Sequence, residues 1–287
     1  MNANPMAGGQ GSVYVMGRTS EEYERLRRQS ELLESITSSV LDRAGLSSGM
    51  SCLDVGCGPG EVMRLMADRV GPTGRIVGID VDGRLGREAL SVLKSKGYQQ
   101  CSFIEGDLES LEQIDDDRFD LVFARLLLMH LDDPILALRK MYRQVRPGGR
   151  IVVQDYYFPT IDSYPTVEPL AEFNKVFFGV YDKAGTETRM GIKVPEFFIE
   201  AGIGSPEGTD VTGFLLPMRV CAEMLAAVYR SVLPVALKTG VTTEERSVSF
   251  LEDIRKTESG SYHILWPLLI SAWSQKAAEQ TSRDARN

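Results

Sequence analysis

The sequence predicts an α/β fold: a doubly wound, mostly parallel sheet with helices on both faces and further helices inserted after the fifth strand. Three observations carry this expectation. Between residues 51 and 154 a short apolar run, a turn and an amphipathic helix recur in that order; a glycine-rich turn joins the first apolar run directly to the first helix; and after Gln154 the alternation gives way to long helical patterns. Strands that alternate with helices pair parallel, because each crossover helix covers a face of the sheet. Right-handed crossovers leave the strand C-termini on one edge, and ligands of such sheets bind there, where the strand order reverses.

The elements follow in order. Behind a cap at Thr19 or Ser20, residues Tyr23, Leu26, Ser30, Leu33 and Thr37 recur at three- and four-residue spacing, and helix continues to Ala44. Apolar runs at Ser51–Val55, Arg75–Ile79, Ser102–Glu105, Asp120–Ala124 and Arg150–Gln154 read as strands, with helices near 61–70, 84–97 and 134–146. Helices follow near 167–183, 195–201, 217–238 and 243–258, and Tyr262–Ser274, rich in Ile, Leu and Trp, reads as the last strand, Pro267 lying at an edge or bulge. Residues 1–11 read as a flexible tail and 12–287 as one domain: a helical cap (12–48), a ligand-binding core (49–158), lid helices with a sixth strand (159–260) and the last strand (261–276).

Composition narrows the function. Hydrophobic residues make up 43% and charged residues 25% of the 287, which suits a globular chain. The net charge of −8, without a basic block, argues against a nucleic-acid partner. No run approaches 18 consecutive apolar residues and no secretory pattern opens the chain, so the expectation is a cytoplasmic protein without a membrane partner. Cys52, Cys57, Cys101 and Cys221 lack metal-ligand spacing and read as reduced thiols, so no metal is expected. A homodimer is left open.

The chemistry concentrates in the segment from Leu53 to Gly60. Gly56, Gly58 and Gly60 permit a tight strand-to-helix turn whose amides face a ligand. A dinucleotide is the natural competitor, but the spacing is G-x-G-x-G rather than G-x-G-x-x-G, and Asp54 would repel a pyrophosphate while attracting an amino-acid ammonium. Asp80 ends the second strand twenty residues beyond Gly60, placed to accept from ribose hydroxyls. After the third strand, Asp107 is placed to accept from an adenine amino group and the Leu108 amide to donate to a ring nitrogen.

With these motifs the chain resembles the class I S-adenosylmethionine-dependent methyltransferases: D-V-G-C-G-P-G from Asp54, G-I-D from Gly78, E-G-D-L from Glu105, F-D-L-V-F-A-R-L-L-L-M-H-L from Phe119 and R-P-G-G from Arg146. The resemblance implies a Rossmann-like sheet of seven strands with an antiparallel last strand. It implies S-adenosylmethionine as cofactor, S-adenosylhomocysteine as product, and cofactor contacts from Asp54, Gly56, Cys57, Gly58, Asp80, Val81, Gly106, Asp107, Leu108, Ala124 and Arg125. The segment Tyr14-Val15-Met16-Gly17, followed by Glu24-Arg25-Leu26 and Gln29, is similar to the N-terminal cap of bacterial natural-product methyltransferases. That similarity implies Tyr14 closing over the methionine end of the cofactor and Gln29 or Arg25 near its carboxylate. The implied function is methyl transfer to a small-molecule acceptor in secondary metabolism; the alternatives are a cofactor-assisted cyclase or rearrangement enzyme and a non-catalytic cofactor-binding protein.

Four acceptor-side candidates remain. His130, just past the fourth strand, is placed to serve as general base, with loop packing as the competing explanation. Tyr156, Tyr157 and Phe158 follow the fifth strand at the ligand edge and would line an aromatic pocket or anchor the lid. His263 reads as a structural residue of the last strand, and Met190, Met218 and Met224 as core fillers.

Overall fold

In a computed structural model that describes residues 20–108, 110, 114 and 118–278, the chain opens with two helices, α1 (Ser20–Leu32) and α2 (Glu34–Arg43). The tail at 1–11 and Tyr14 lie outside the described residues. Next come β1 (Ser51–Val55), α3 (Glu61–Val70), β2 (Arg75–Asp80), α4 (Gly83–Ser95), β3 (Cys101–Glu105), β4 (Phe119–Arg125), a 3-10 turn at Leu128–His130, α5 (Pro134–Gln144) and β5 (Val145–Tyr157). The remainder comprises β6 (Asp162–Tyr164), α6 (Glu168–Ala184), α7 (Met190–Glu200), β7 (Gly208–Thr212), β8 (Leu215–Pro217), α8 (Met218–Lys238), α9 (Glu244–Lys256), β9 (His263–Leu265) and β10 (Leu268–Gln275).

The main sheet has seven strands in the order β3-β2-β1-β4-β5-β10-β7. β1 to β5 pair parallel, while β10 runs antiparallel between β5 and β7, so the doubly wound sheet with an antiparallel last strand is observed. Alternation within the strands explains the layering. Cys52, Leu121, Phe123 and Val152 face one core with α2 and α3, and Leu53, Val55, Val122, Ala124 and Val153 face the other, which runs into α5–α9. The order reverses between β1 and β4, and both strands end at the edge where the glycine turn begins.

Three expectations change. The run from Tyr262 to Ser274 is two strands, because Pro267 has no N–H to give a ladder. β9 pairs with β6 and β8 in a separate three-stranded sheet, β10 completes the main one, and His263 is therefore an exposed residue of the small sheet. α7 begins at Met190, not near Pro195: Met190, Gly191 and Val194 are buried, and a Cβ on Gly191 would stand 2.5 Å from the Asp155 carbonyl oxygen, so close packing on β5 sets the start. β5 begins at Val145, with an irregular register between Phe119 and Leu121 of its neighbour, because the R-P-G-G turn already belongs to the strand. α8 is long and apolar enough to cross a membrane, yet it packs on α1, α6 and α9 and buries ten side chains as a core helix does.

A buried polar chain ties the cap to the sheet. Arg125 donates to Thr37 Oγ1 and Ser30 Oγ, both at 2.9 Å; the Thr37 hydroxyl donates to Gln154 Oε1 at 2.9 Å, and Gln154 Nε2 donates to Ser271 Oγ at 2.9 Å. One residue from each of α1, α2, β4, β5 and β10 takes part. A buried donor or acceptor left unpaired costs about 1–3 kcal/mol. Thr37→Val should therefore lower the urea unfolding free energy by about that amount, whereas Ser35→Ala on the exposed face of α2 should change it by less than about 0.5 kcal/mol.

Candidate functional site

The glycine turn is built as a scaffold for backbone amides. Gly56, Gly58 and Gly60 hold φ of +69°, +49° and +79°, a region other residues enter at a cost. The amides of Gly56 and Cys57 donate to the Ile79 carbonyl at 2.8 and 3.1 Å, and the Gly58 amide donates to Asp80 Oδ2 at 2.9 Å. The end of β2 thus clamps the turn. Asp80 Oδ1 accepts from the Asp82 amide at 2.8 Å, and Asp82 caps α4 through the Leu85 amide at 3.0 Å while accepting from the Tyr23 hydroxyl at 2.7 Å. A Cβ on Gly58 would meet nothing within 4 Å, which leaves open space beside the turn.

Asp54, at the end of β1, is 2% exposed, and its Oδ2 has no hydrogen-bond partner among the described residues. Burial pushes its pKa up to about 7, against the pull of the Arg125 charge. Arg125 is in turn held below its ordinary value by burial, with Asp54 opposing that shift. Its guanidinium hydrogen bonds go to Thr37 and Ser30, which leaves the Asp54 oxygen to the cavity. The Cys57 thiol is buried and pushed well above the ordinary range, so it stays protonated and unreactive.

A cavity of about 390 Å³ runs along this edge. Asp54, Gly56, Cys57, Gly58, Asp80, Val81, Gly106, Asp107, Leu108 and Arg125 all line it, as does Gln29 from α1. Ala124 does not, because it is buried in β4 one residue short of the edge. Val81 sits at the rim with 49% exposure. The set fits S-adenosylmethionine: a buried carboxylate with one oxygen left without a partner for a cationic group, two further aspartates for hydroxyl and amino donors, and a turn cleared of side chains.

The same cavity continues into a second chamber. Tyr156, Phe158, Phe177, Tyr181, Trp266 and Met224 line it, and three of the aromatic pairs stack or tilt at centroid distances of 5.0 Å (Tyr156–Phe158), 4.8 Å (Phe158–Phe177) and 4.3 Å (Phe177–Tyr181). Tyr157 is excluded, because strand alternation turns it to the opposite face from Tyr156. His130 lines the chamber, and burial with the nearby Arg25 charge pushes its pKa down to about 4, so its imidazole is neutral at physiological pH. α1 contributes a buried ion pair: Arg25 binds Glu22 through Nε at 2.8 Å and Nη2 at 2.6 Å, Ser231 donates to Glu22 Oε2 at 2.7 Å, and Arg25 Nη1 donates to Gln29 Oε1. Arg25 is thereby already engaged with carboxylate and amide oxygens.

The sequence did not single out Glu22, Tyr23, Asp82, Phe177, Tyr181 or Trp266, and Met224, expected only to fill the core, touches the cavity. On α6 the spacing of Phe173, Phe177 and Tyr181 signals a buried face but not what it faces. Among the described residues no group of three His, Cys, Asp or Glu side chains is arranged to hold a metal ion.

Residues 46–184 match a family model described as a methyltransferase domain. The chain is 28% identical over 198 residues to an uncharacterized 37.1 kDa protein in transposon TN4556 of Streptomyces fradiae, covering 68% of this chain and 55% of the relative. It is 27% identical over 149 residues to a demethylmenaquinone methyltransferase of Anoxybacillus flavithermus, covering 51% and 62%. The chain thus spans less than two thirds of the length of these curated relatives. The crystal structure of a putative methyltransferase from Bacillus halodurans superposes with a TM-score of 0.57 at 18% identity, covering 85% of this chain and all of that one, a likeness of fold.

The raised pKa of Asp54 has a measurable sign. Its neutral form favours the fold, so this contribution to the stability of the unliganded protein is present below about pH 4 and lost as pH rises towards 7. A cation in the cavity favours the ionised form instead. S-adenosylhomocysteine, which carries an ammonium, should therefore bind more tightly as pH rises from 5 to 8 and should release protons at pH 6, read by calorimetry in buffers of different ionisation enthalpy. Asp54→Asn should remove that dependence.

Proposed function

We propose, from the match of residues 46–184 to a methyltransferase-domain model, that this chain is S-adenosylmethionine-dependent and transfers a methyl group to a ring-bearing, largely apolar small molecule. The observation that carries the reading is the continuity of one cavity from the carboxylates of Asp54, Asp80 and Asp107 to the aromatic chamber. Asp54 would hold the cofactor ammonium, Asp80 the ribose hydroxyls, and Asp107 with the Leu108 amide the adenine edge. When bound, S-adenosylmethionine supplies a methyl group already activated on a sulfonium.

The protein's own task is then alignment and exclusion of water. α1 covers the cavity with Glu22, Arg25 and Gln29, and the rings of Tyr156, Phe158, Phe177, Tyr181 and Trp266 confine a flat acceptor. A histidine with a pKa near 4 holds a proton poorly at neutral pH, so His130 acts as a hydrogen-bond partner of the acceptor and suits an acceptor atom that is itself acidic or already nucleophilic.

The test is methyl transfer from isotopically labelled S-adenosylmethionine to a panel of phenols, quinols and aromatic amines. S-adenosylhomocysteine should form in step with a methylated product; conversion of an acceptor without S-adenosylhomocysteine would instead establish a cofactor-assisted cyclase or rearrangement. Asp80→Ala should weaken S-adenosylhomocysteine binding by about 1–3 kcal/mol, roughly 5- to 150-fold in Kd, since charged hydrogen bonds are lost.

A further inference from the structure

Tyr156 is 3% exposed, and its hydroxyl oxygen accepts from the Trp266 indole N–H at 3.0 Å. The Gln29 side chain stands close enough to act on it as well, drawing its pKa down. Gln29 Oε1 accepts from Arg25, so the ion pair of α1 orients this amide. A phenolic oxygen has two acceptor positions and one proton to give. One acceptor position is filled by the indole N–H, so the phenol's own proton leaves in another direction.

The charged groups that act on Tyr156 are Arg125 and Arg25, which are donors and have no acceptor to offer. Among the described residues the Tyr156 hydroxyl makes no hydrogen bond to an acceptor oxygen or nitrogen, and its side chain lines the cavity. Burial holds its pKa above the ordinary value despite Trp266, Arg125, Gln29 and Arg25, so the proton stays on the oxygen at neutral pH. The group is a donor whose oxygen is already engaged by the indole.

We propose that Tyr156 is the specificity-determining donor of the second chamber, reserved for a carbonyl, enol or phenol oxygen on the ring-bearing acceptor. This rests on reading the cavity as a cofactor site joined to an acceptor site. An N–H donor on the phenol oxygen polarises its O–H and strengthens the bond that it gives. A ring compound without such an oxygen would leave the proton buried and unpaired, the kind of penalty by which a built polar site rejects an analogue lacking the group it expects. The chamber thus selects oxygenated rings over hydrocarbons of the same shape.

The experiment uses a matched pair of probes, 1-tetralone and tetralin, whose affinities for the full chain loaded with S-adenosylhomocysteine are measured by equilibrium dialysis. The ketone oxygen can only accept, so it reads donors alone. The wild-type protein should bind 1-tetralone at least about tenfold more tightly than tetralin. Tyr156→Phe should bring that ratio to near one while tetralin and S-adenosylhomocysteine affinities stay within about twofold. Trp266→Phe, which removes one polarising donor and keeps the phenol, should lower the ratio at least threefold and serves as the test if Tyr156→Phe does not fold. Equal affinity for the pair in the wild type, no binding of either, or a ratio unchanged in either variant overturns the proposal. Loss of S-adenosylhomocysteine affinity in Tyr156→Phe overturns it too, by assigning the donor to the cofactor. A wild-type protein that does not bind S-adenosylhomocysteine at all would instead refute the underlying reading of the cavity.

Discussion

A carboxylate buried at the end of the central strand costs free energy unless something positive stands nearby, and the surroundings of Asp54 answer that cost only in part. Arg125 supplies the charge from the adjacent strand, but its hydrogen bonds run outward to Thr37 and Ser30. Asp54 Oδ2 is left in the cavity without a donor, at a pKa near 7. Closing an Arg125–Asp54 pair would satisfy both groups and leave nothing for a ligand. Arg125 donates instead to Thr37 and Ser30, and the chain through Thr37, Gln154 and Ser271 extends this anchorage to α2, β5 and β10. The positions of the cap helices and of the antiparallel strand are thus bound to the electrostatics of one residue on β1.

This arrangement explains which parts were legible in advance. The glycine turn, Asp80 and Asp107 announce themselves because their chemistry is local: a left-handed backbone needs glycine, and a strand-end carboxylate has one edge to face. The alternation of apolar runs and helices gives the sheet because crossover geometry admits few solutions. Of the neighbours Ala124 and Arg125, and Tyr156 and Tyr157, only Arg125 and Tyr156 line the cavity, since a strand's frame decides which side chain reaches the edge, and no local signal separates Tyr156 from Tyr157. Phe177, Tyr181 and Trp266 were illegible as site residues for another reason. A buried aromatic on a helix carries the same periodicity whether it faces a hydrocarbon core or a ligand chamber.

The C-terminal run shows how one breaker residue changes the chemistry as well as the topology. An uninterrupted strand from Tyr262 to Ser274 would alternate Trp266 along a continuous ladder. Pro267 ends the ladder instead, and β9 and β10 go to different sheets. The residue left at the break, Trp266, is held by its own amide to the Phe214 carbonyl at 2.8 Å and turns its indole N–H onto Tyr156 of β5. A change in sheet membership is what brings an indole donor to the chamber, and the register of β10 on β5, in which Leu269 faces Tyr156, fixes how far it can reach.

The polar groups of the chamber are arranged as a hierarchy of prior commitments. Glu22 neutralises Arg25 in a two-pronged pair and is itself held by Ser231 of α8, so the guanidinium is fixed in place. Arg25 then orients Gln29, Trp266 donates to Tyr156, and burial together with the Arg25 charge keeps His130 neutral. Each step removes an alternative from the next group in line. α1 therefore does more than close a lid over the edge of the sheet: through one buried ion pair it determines which protons the chamber offers and which it withholds.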